Sequence, residues 1–324
     1  MALFGKLLTF FKNWALPISM AVGIVAYLVY HFSPSLYSIG PVCRVICEQG
    51  QPVFIFLMLF CQFNKVPPSS IRIRRWHLWG LIFQCTGFLL LAAGAYMLEP
   101  GNLRIAVETL MICLLCPTAT AAGVITDKLG GDLPGTISYC LLINCAFCVL
   151  FSLVVPVLHP VEGLSFGACF MRLAMKMFPT LICPCLLAWF IRYTIPPLQR
   201  FIAQFKDLAF WLWVVSLSIC LVLTTRIIVI GHISFAMVCV LGLCALTACI
   251  VQFASGRLAG RRSGLRGSIT TGQSLGQKNT GFMIWASYTF LTPQTAVGGG
   301  FYCIWHNIVN SYELYLKRKG DGRI

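Results

Sequence analysis

The run Gly272-Gln273-Ser274-Leu275-Gly276-Gln277-Lys278-Asn279-Thr280-Gly281 is polar and turns apolar again at Phe282, amid residues that read as membrane helix. Its chemistry is that of a binding site. Lys278 offers an ammonium to an anion, and Gln277, Asn279 and Ser274 offer amide and hydroxyl contacts. A charge near the bilayer centre costs a few kcal/mol or more. Irregular backbone persists there only where protein or a water-filled cavity surrounds it. A second interruption, Cys116-Pro117-Thr118-Ala119-Thr120-Ala121-Ala122-Gly123, places Thr120 at a proline break, with Thr126 following it.

Other residues could add to this chemistry. Glu108 is the carboxylate that falls well inside an apolar stretch, about two turns before the first interruption. Two partners are open to it: Lys278, or Arg104 at i−4, a helical pair worth a few tenths of a kcal/mol. His306 and Asn307 lie mid-helix near the C-terminal end, and Asn310 and Ser311 continue their polar face, which favours helix–helix contact. Gly298-Gly299-Gly300 lacks the context of a phosphate loop and reads as close packing or a hinge. Arg172 and Lys176 either line a cavity or belong to a surface helix. Of the seventeen cysteines most fall in apolar stretches and act as small packing residues. Cys113-x-x-Cys116 has no second pair at zinc spacing, and the histidines (His31, His77, His159, His232, His306) are scattered, so no metal or cofactor is expected. No nucleophile–base pair or paired carboxylates stand beside these groups, so an enzyme is not expected; His306 as a base is the weak alternative.

The elements that hold these residues are apolar. The chain is 58% hydrophobic and 10% charged, against about 25% charged for soluble domains. We read an all-α integral membrane fold of ten transmembrane helices near 14–31, 42–63, 76–98, 102–127, 134–158, 164–192, 207–228, 232–255, 267–291 and 294–316. Each is long enough for roughly 30 Å of hydrocarbon. The whole chain, 1–324, forms a single transmembrane domain. No small-residue cleavage site follows Tyr30, so the first span is retained. Trp14, Trp76 and Trp79 fit an interfacial belt.

The net charge of +15 is a matter of topology. Basic residues gather in alternate loops: Lys6 and Lys12; Lys65, Arg72, Arg74 and Arg75; Lys128; Arg192, Arg200 and Lys206; Arg257, Arg261, Arg262 and Arg266; Lys317, Arg318, Lys319 and Arg323. The opposite loops hold Arg44, Arg104 and Arg226. This is the positive-inside pattern, with both termini cytoplasmic in a multi-pass cell-membrane protein, a bacterial inner membrane being the expected setting. Attraction to anionic membrane lipid follows; nucleic acid is not an expected partner.

Each interruption falls in the fourth span of a five-span half, approximately 14–158 and 164–316. An odd number of spans per half inverts the second copy, giving inverted repeats with broken, crossing helices four and nine. Half-helix N-termini can then face an anion while freed carbonyls hold a cation. For either break taken alone, a simple kink at Pro117 or easier packing at Gly276 remains the alternative. Pro196-Pro197 and the residues after it read as an interfacial linker between the halves.

At these residues the chain resembles the bile acid:sodium symporter family. That family carries a break of the form C-P-G-G-T-A-S-N-V-x-T closed by G-D; here the run is Cys116 to Thr126, followed by Gly131-Asp132. Its second signature, E-x-G-x-Q-N-x-G and then W-H-N, is matched by Ser274 to Gly281 and Trp305-His306-Asn307. The resemblance covers nearly the whole chain. It implies a panel domain, a core domain with crossing broken helices, and secondary active transport of a small organic anion by alternating access. It also implies two sodium sites, but the aligned ligand positions here are Ala122, Gly123, Ser274 and Lys278. Alanine and glycine bring no side-chain oxygen, the motif's carboxylate is gone, and a one-residue shift to Gln273 restores no charge. Thr126, Thr136 and Asn279 remain as polar contacts. We therefore expect Lys278 to stand where the family binds sodium, as a permanent tether or as a proton-carrying switch with protons as the coupling ion. The alternative is that Lys278 snorkels to the cytoplasmic side. A receptor or sensor of a small organic anion, built on the same fold, is the contrasting functional expectation.

Overall fold

The computed structural model describes residues 2–205, 208–231 and 233–320, without the side chains of 2–14, 16 and 48. Lys206, His232 and Arg323 lie outside the described residues, as do the side chains of Lys6, Lys12 and Trp14. The named elements are all helical: α1 (Ala2–Phe32), α2 (Gly40–Phe63), α3 (Arg75–Tyr96), α4 (Asn102–Leu115), α5 (Thr120–Leu129), α6 (Leu133–Leu158), α7 (Phe166–Leu181), α8 (Cys183–Thr194), α9 (Pro196–Gln204), α10 (Leu208–Ile230), α11 (Phe235–Gly260), α12 (Gly264–Gly276), α13 (Thr280–Phe290) and α14 (Pro293–Lys319), with short 3-10 turns between some of them.

Among the described residues five helical stretches are long and apolar enough to cross a membrane: Pro34–Phe63, Arg75–Tyr96, Leu133–Leu158, Leu208–Ile230 and Phe235–Gly276. A sixth forms if α7 and α8, bent by 41° between Leu181 and Cys183, count as one. The bend has a local cause. Pro179 and Pro184 flank it, and proline removes a helix donor and crowds the preceding turn. Four of the ten expected segments stay outside this set for physical reasons. In α1 the apolar part, Pro17–Phe32, is short. Segments 102–127 and 267–291 are each divided into two helices, and α14 carries a buried polar face that lowers its hydropathy.

The surface is that of a membrane protein. Large apolar side chains point outward along whole helix faces, as at Val22, Val25 and Val29 of α1, Ile82, Leu89 and Leu90 of α3, and Leu243 and Ile250 of α11. Polar groups are turned inward, among them Gln51, Gln84, Glu108, Gln252 and Lys278. In water the reverse arrangement is the stable one. Arg172 and Lys176 are exposed on α7, and the Lys176 ammonium sits 5.6 Å from the Phe290 ring centroid.

Packing sorts the helices around the two interruptions. Helices α3, α4, α6 and α11 to α14 pack on one another and enclose them, while α1 and α2 pack on α10, and α2 also on α8. Helix α9, without a buried residue, joins α8 to α10 and is tied to Asn64 through Gln199. Helices α11 and α12 approach closely. A methyl group added at Gly256 meets the Thr271 carbonyl oxygen at 2.5 Å, and one at Gly267 meets the Gly260 carbonyl oxygen at 2.6 Å. Small residues let two helices touch backbone to backbone. The glycines that open α14 serve the same end. Side chains there have no room beside Thr109, Ile284 and Thr224, so these glycines pack closely against their neighbours.

Candidate functional site

Helix α4 ends because Pro117 follows Cys116, and a residue before proline is pushed to extended backbone; Cys116 adopts φ −43 and ψ 136. Helix α12 ends at Gly276, where the ring of Phe253 leaves no space for a side chain, and Gln277 is extended. The two interruptions then satisfy each other. Thr118 and Lys278 form an isolated antiparallel bridge. The Ala119 N–H donates to the Gln277 carbonyl at 2.9 Å, and the Asn279 N–H donates to the Pro117 carbonyl at 2.8 Å. The Thr118 hydroxyl adds a bond to the Ser274 carbonyl at 2.6 Å. Backbone groups freed inside an apolar bundle need such partners.

Lys278 is fully buried. Its ammonium donates to the Leu114 carbonyl at 3.0 Å, and its backbone N–H points at His306 Nδ1, 3.4 Å away. Leu114 lies in the last turn of α4, where carbonyls lack helical partners and the helix dipole is negative. The ammonium thus caps the first half-helix from within the second interruption. It does not snorkel.

The other expected residues divide into three groups. Gln277, Asn279 and Thr120 gather at the crossing with Lys278. Asn279 caps α13, its carbonyl oxygen Oδ1 accepting from the Phe282 N–H at 3.2 Å, while its Nδ2 and both polar atoms of the Gln277 side chain have no partner among the described residues. Ser274 and Thr126 meet through Thr136, each hydroxyl 3.3 Å from the Thr136 hydroxyl. Gln273 turns away, donating to Asn310 at 3.1 Å and to Glu313 at 2.7 Å. Asn307 bonds back to the Cys303 carbonyl within α14 at 2.8 Å. Glu108 stands apart from Lys278. It takes Arg104, at 3.1 Å, and also His159, at 2.9 Å.

A narrow cleft borders the crossing. It is lined by Met58 of α2, by Trp213, Ser216 and Cys220 of α10, and by Ala119, Thr120 and Lys278 to Gly281. The N-terminal ends of α5 and α13 both open on it, so two positive dipole ends converge there. Its volume is about 10 Å³, room for about one water molecule. The helices around it are closed together.

Sequence reading missed the polar lattice that braces the crossing. Tyr139 donates to Gln84 at 2.6 Å, Gln84 to Gln252 at 2.6 Å, and Gln252 to the Tyr302 hydroxyl and the Cys113 carbonyl, both at 2.9 Å. Tyr302 closes the lattice on the Gly276 carbonyl at 2.8 Å. Gln51 of α2 likewise reaches Ser216 and Cys220 of α10, and its amide nitrogen fills the space beside Gly281. The available signal was an uncharged amide within an apolar stretch at Gln84 and Gln252, whereas Gln51 ends the polar run Glu48-Gln49-Gly50-Gln51. No protein-family model matches the chain, and no curated protein matches it.

Proposed function

We propose that the chain is a divergent member of the bile acid:sodium symporter family and a secondary active transporter that moves a small organic anion by alternating access. In this reading ten spans form two inverted five-helix halves in the cell membrane, with both termini on the cytoplasmic side where the basic loops lie. The observation that carries it is the joining of the two broken helices, one from each half, beside a cleft onto which both half-helix N-termini open. Converging dipole ends and N–H groups suit a carboxylate or sulfonate.

The residues do not fit a sodium ion. Ala122 and Gly123 offer no side-chain oxygen, Ser274 brings a neutral hydroxyl where the family's motif has a carboxylate, and Lys278 brings its own positive charge. The Lys278 ammonium takes up a carbonyl at the end of α4 that a mobile cation would otherwise neutralise. We assign it the role of a built-in cation.

The test is uptake of radiolabelled organic acids into proteoliposomes. Saturable uptake that depends on the chain and persists without sodium supports the proposal. A receptor built on the same fold is favoured by the closed cleft, and binding without any uptake across the panel of acids would replace the transporter reading with it.

A further inference from the structure

Away from the crossing, the starts of α3 and α12 and the end of α11 surround an open cavity of about 840 Å³. Arg74, Arg75, Arg262 and Arg266 line it, against a single lining carboxylate, Asp132. Asp132 is taken by an ion pair with Arg74. Arg75, Arg262 and Arg266 have no carboxylate partner among the described residues. Like charges facing one space repel, and an anion placed among them relieves that repulsion. The guanidinium fork matches the oxygens of a phosphate two at a time. The same cavity has an apolar lip, where Trp79 and Leu258 are 41% and 66% exposed. Trp79 is held flat against Phe83, with ring centroids 5.4 Å apart. A basic chamber with an apolar lip on an otherwise apolar surface suits an amphiphile with an anionic head.

We propose that this cavity is a binding site for a phosphate group, carried by a lipid headgroup or free in solution. It touches none of the residues that line the narrow cleft, so the assignment does not depend on the transport reading. A bound phosphate competes with Asp132 for Arg74 and ties the starts of α3 and α12 to the end of α11.

The test uses the full-length protein in two arms. In the lipid arm, native mass spectrometry follows retention of phosphatidylglycerol against phosphatidylcholine. In the soluble arm, thermal unfolding is measured with and without millimolar inorganic phosphate, against chloride at equal ionic strength. Removing two nearby arginine charges weakens an anionic headgroup roughly tenfold or more. Arg262→Gln with Arg266→Gln should therefore abolish the preference for phosphatidylglycerol, the stabilisation by phosphate, or both. A response in the lipid arm alone assigns the site to a headgroup, and one in the phosphate arm alone to a soluble ligand. Arg318→Gln, an exposed arginine outside the cavity, should leave both responses intact and serves as the charge control. The proposal is overturned if neither arm separates wild type from the double variant, or if the control variant loses as much as the double variant.

Discussion

A buried ammonium with one carbonyl partner is an unusual thing to keep. At Lys278 the cost of desolvation is set against a single bond to Leu114 and the negative end of α4. A buried charge without a counter-charge carries a desolvation cost that an apolar side chain of similar size does not. Lys278→Met should therefore melt at the same temperature or higher, while uptake falls roughly tenfold or more, the value of one hydrogen bond to a charged group. Undiminished uptake in that variant ends the built-in-cation assignment; lost uptake with a large fall in melting temperature makes Lys278 a packing residue. Glu108 should behave in the opposite sense. It is buried, and Arg104 and His159 both sit on one of its oxygens. Glu108→Gln leaves Arg104 short of a counter-charge, and because Arg104 is partly exposed the cost is about 1–3 kcal/mol. Thermal melting should register that loss, with uptake per folded molecule retained.

Among the elements, the interruptions were legible because they break a rule of the membrane. Pro117 and Lys278 are expensive in hydrocarbon, so each marks its own position along the chain. The bracing lattice was not legible. Gln84, Tyr139, Gln252 and Tyr302 come from four helices, and which of them meet depends on helix rotations that no local pattern encodes. The same holds for His159, whose bond to Glu108 spans 51 residues. The backbone contact of α11 with α12 was also unread, although Gly256-x-x-x-Gly260 was in plain view. That contact gives an element-scale prediction. Gly256→Ala drives a methyl group into the Thr271 carbonyl and should cost about 1–3 kcal/mol. Gly94→Ala in α3, with open space around it, should be neutral or mildly stabilising. Paired melting curves check both, and equal effects would mean that α11 and α12 are not so closely joined.

For the molecule as a whole, the missing sodium ligands predict that uptake is unchanged when choline replaces sodium on both sides of a proteoliposome. Dependence on sodium would mean that ligands other than Ala122, Gly123 and Ser274 assemble a site. The closed cleft, with about 10 Å³ of space, further requires α2 and α10 to part from the crossing before any organic anion enters. A tethered cation then has an electrical consequence. In the proposed cycle a mobile sodium ion would leave with the cargo, whereas the ammonium of Lys278 returns still attached to the chain and so contributes no net charge to a full cycle. Each turnover with a monoanion therefore carries one negative charge across the bilayer. At 100 mV that is worth about 2.3 kcal/mol, roughly a fiftyfold concentration ratio, and a negative interior drives the anion outward. A potassium–valinomycin potential, negative inside, should accelerate efflux from loaded vesicles and slow uptake. Flux indifferent to that potential would mean that a proton travels with the anion. In the proposed transporter, an ion held by the chain in this way leaves the membrane potential to act on the charge of the anion alone.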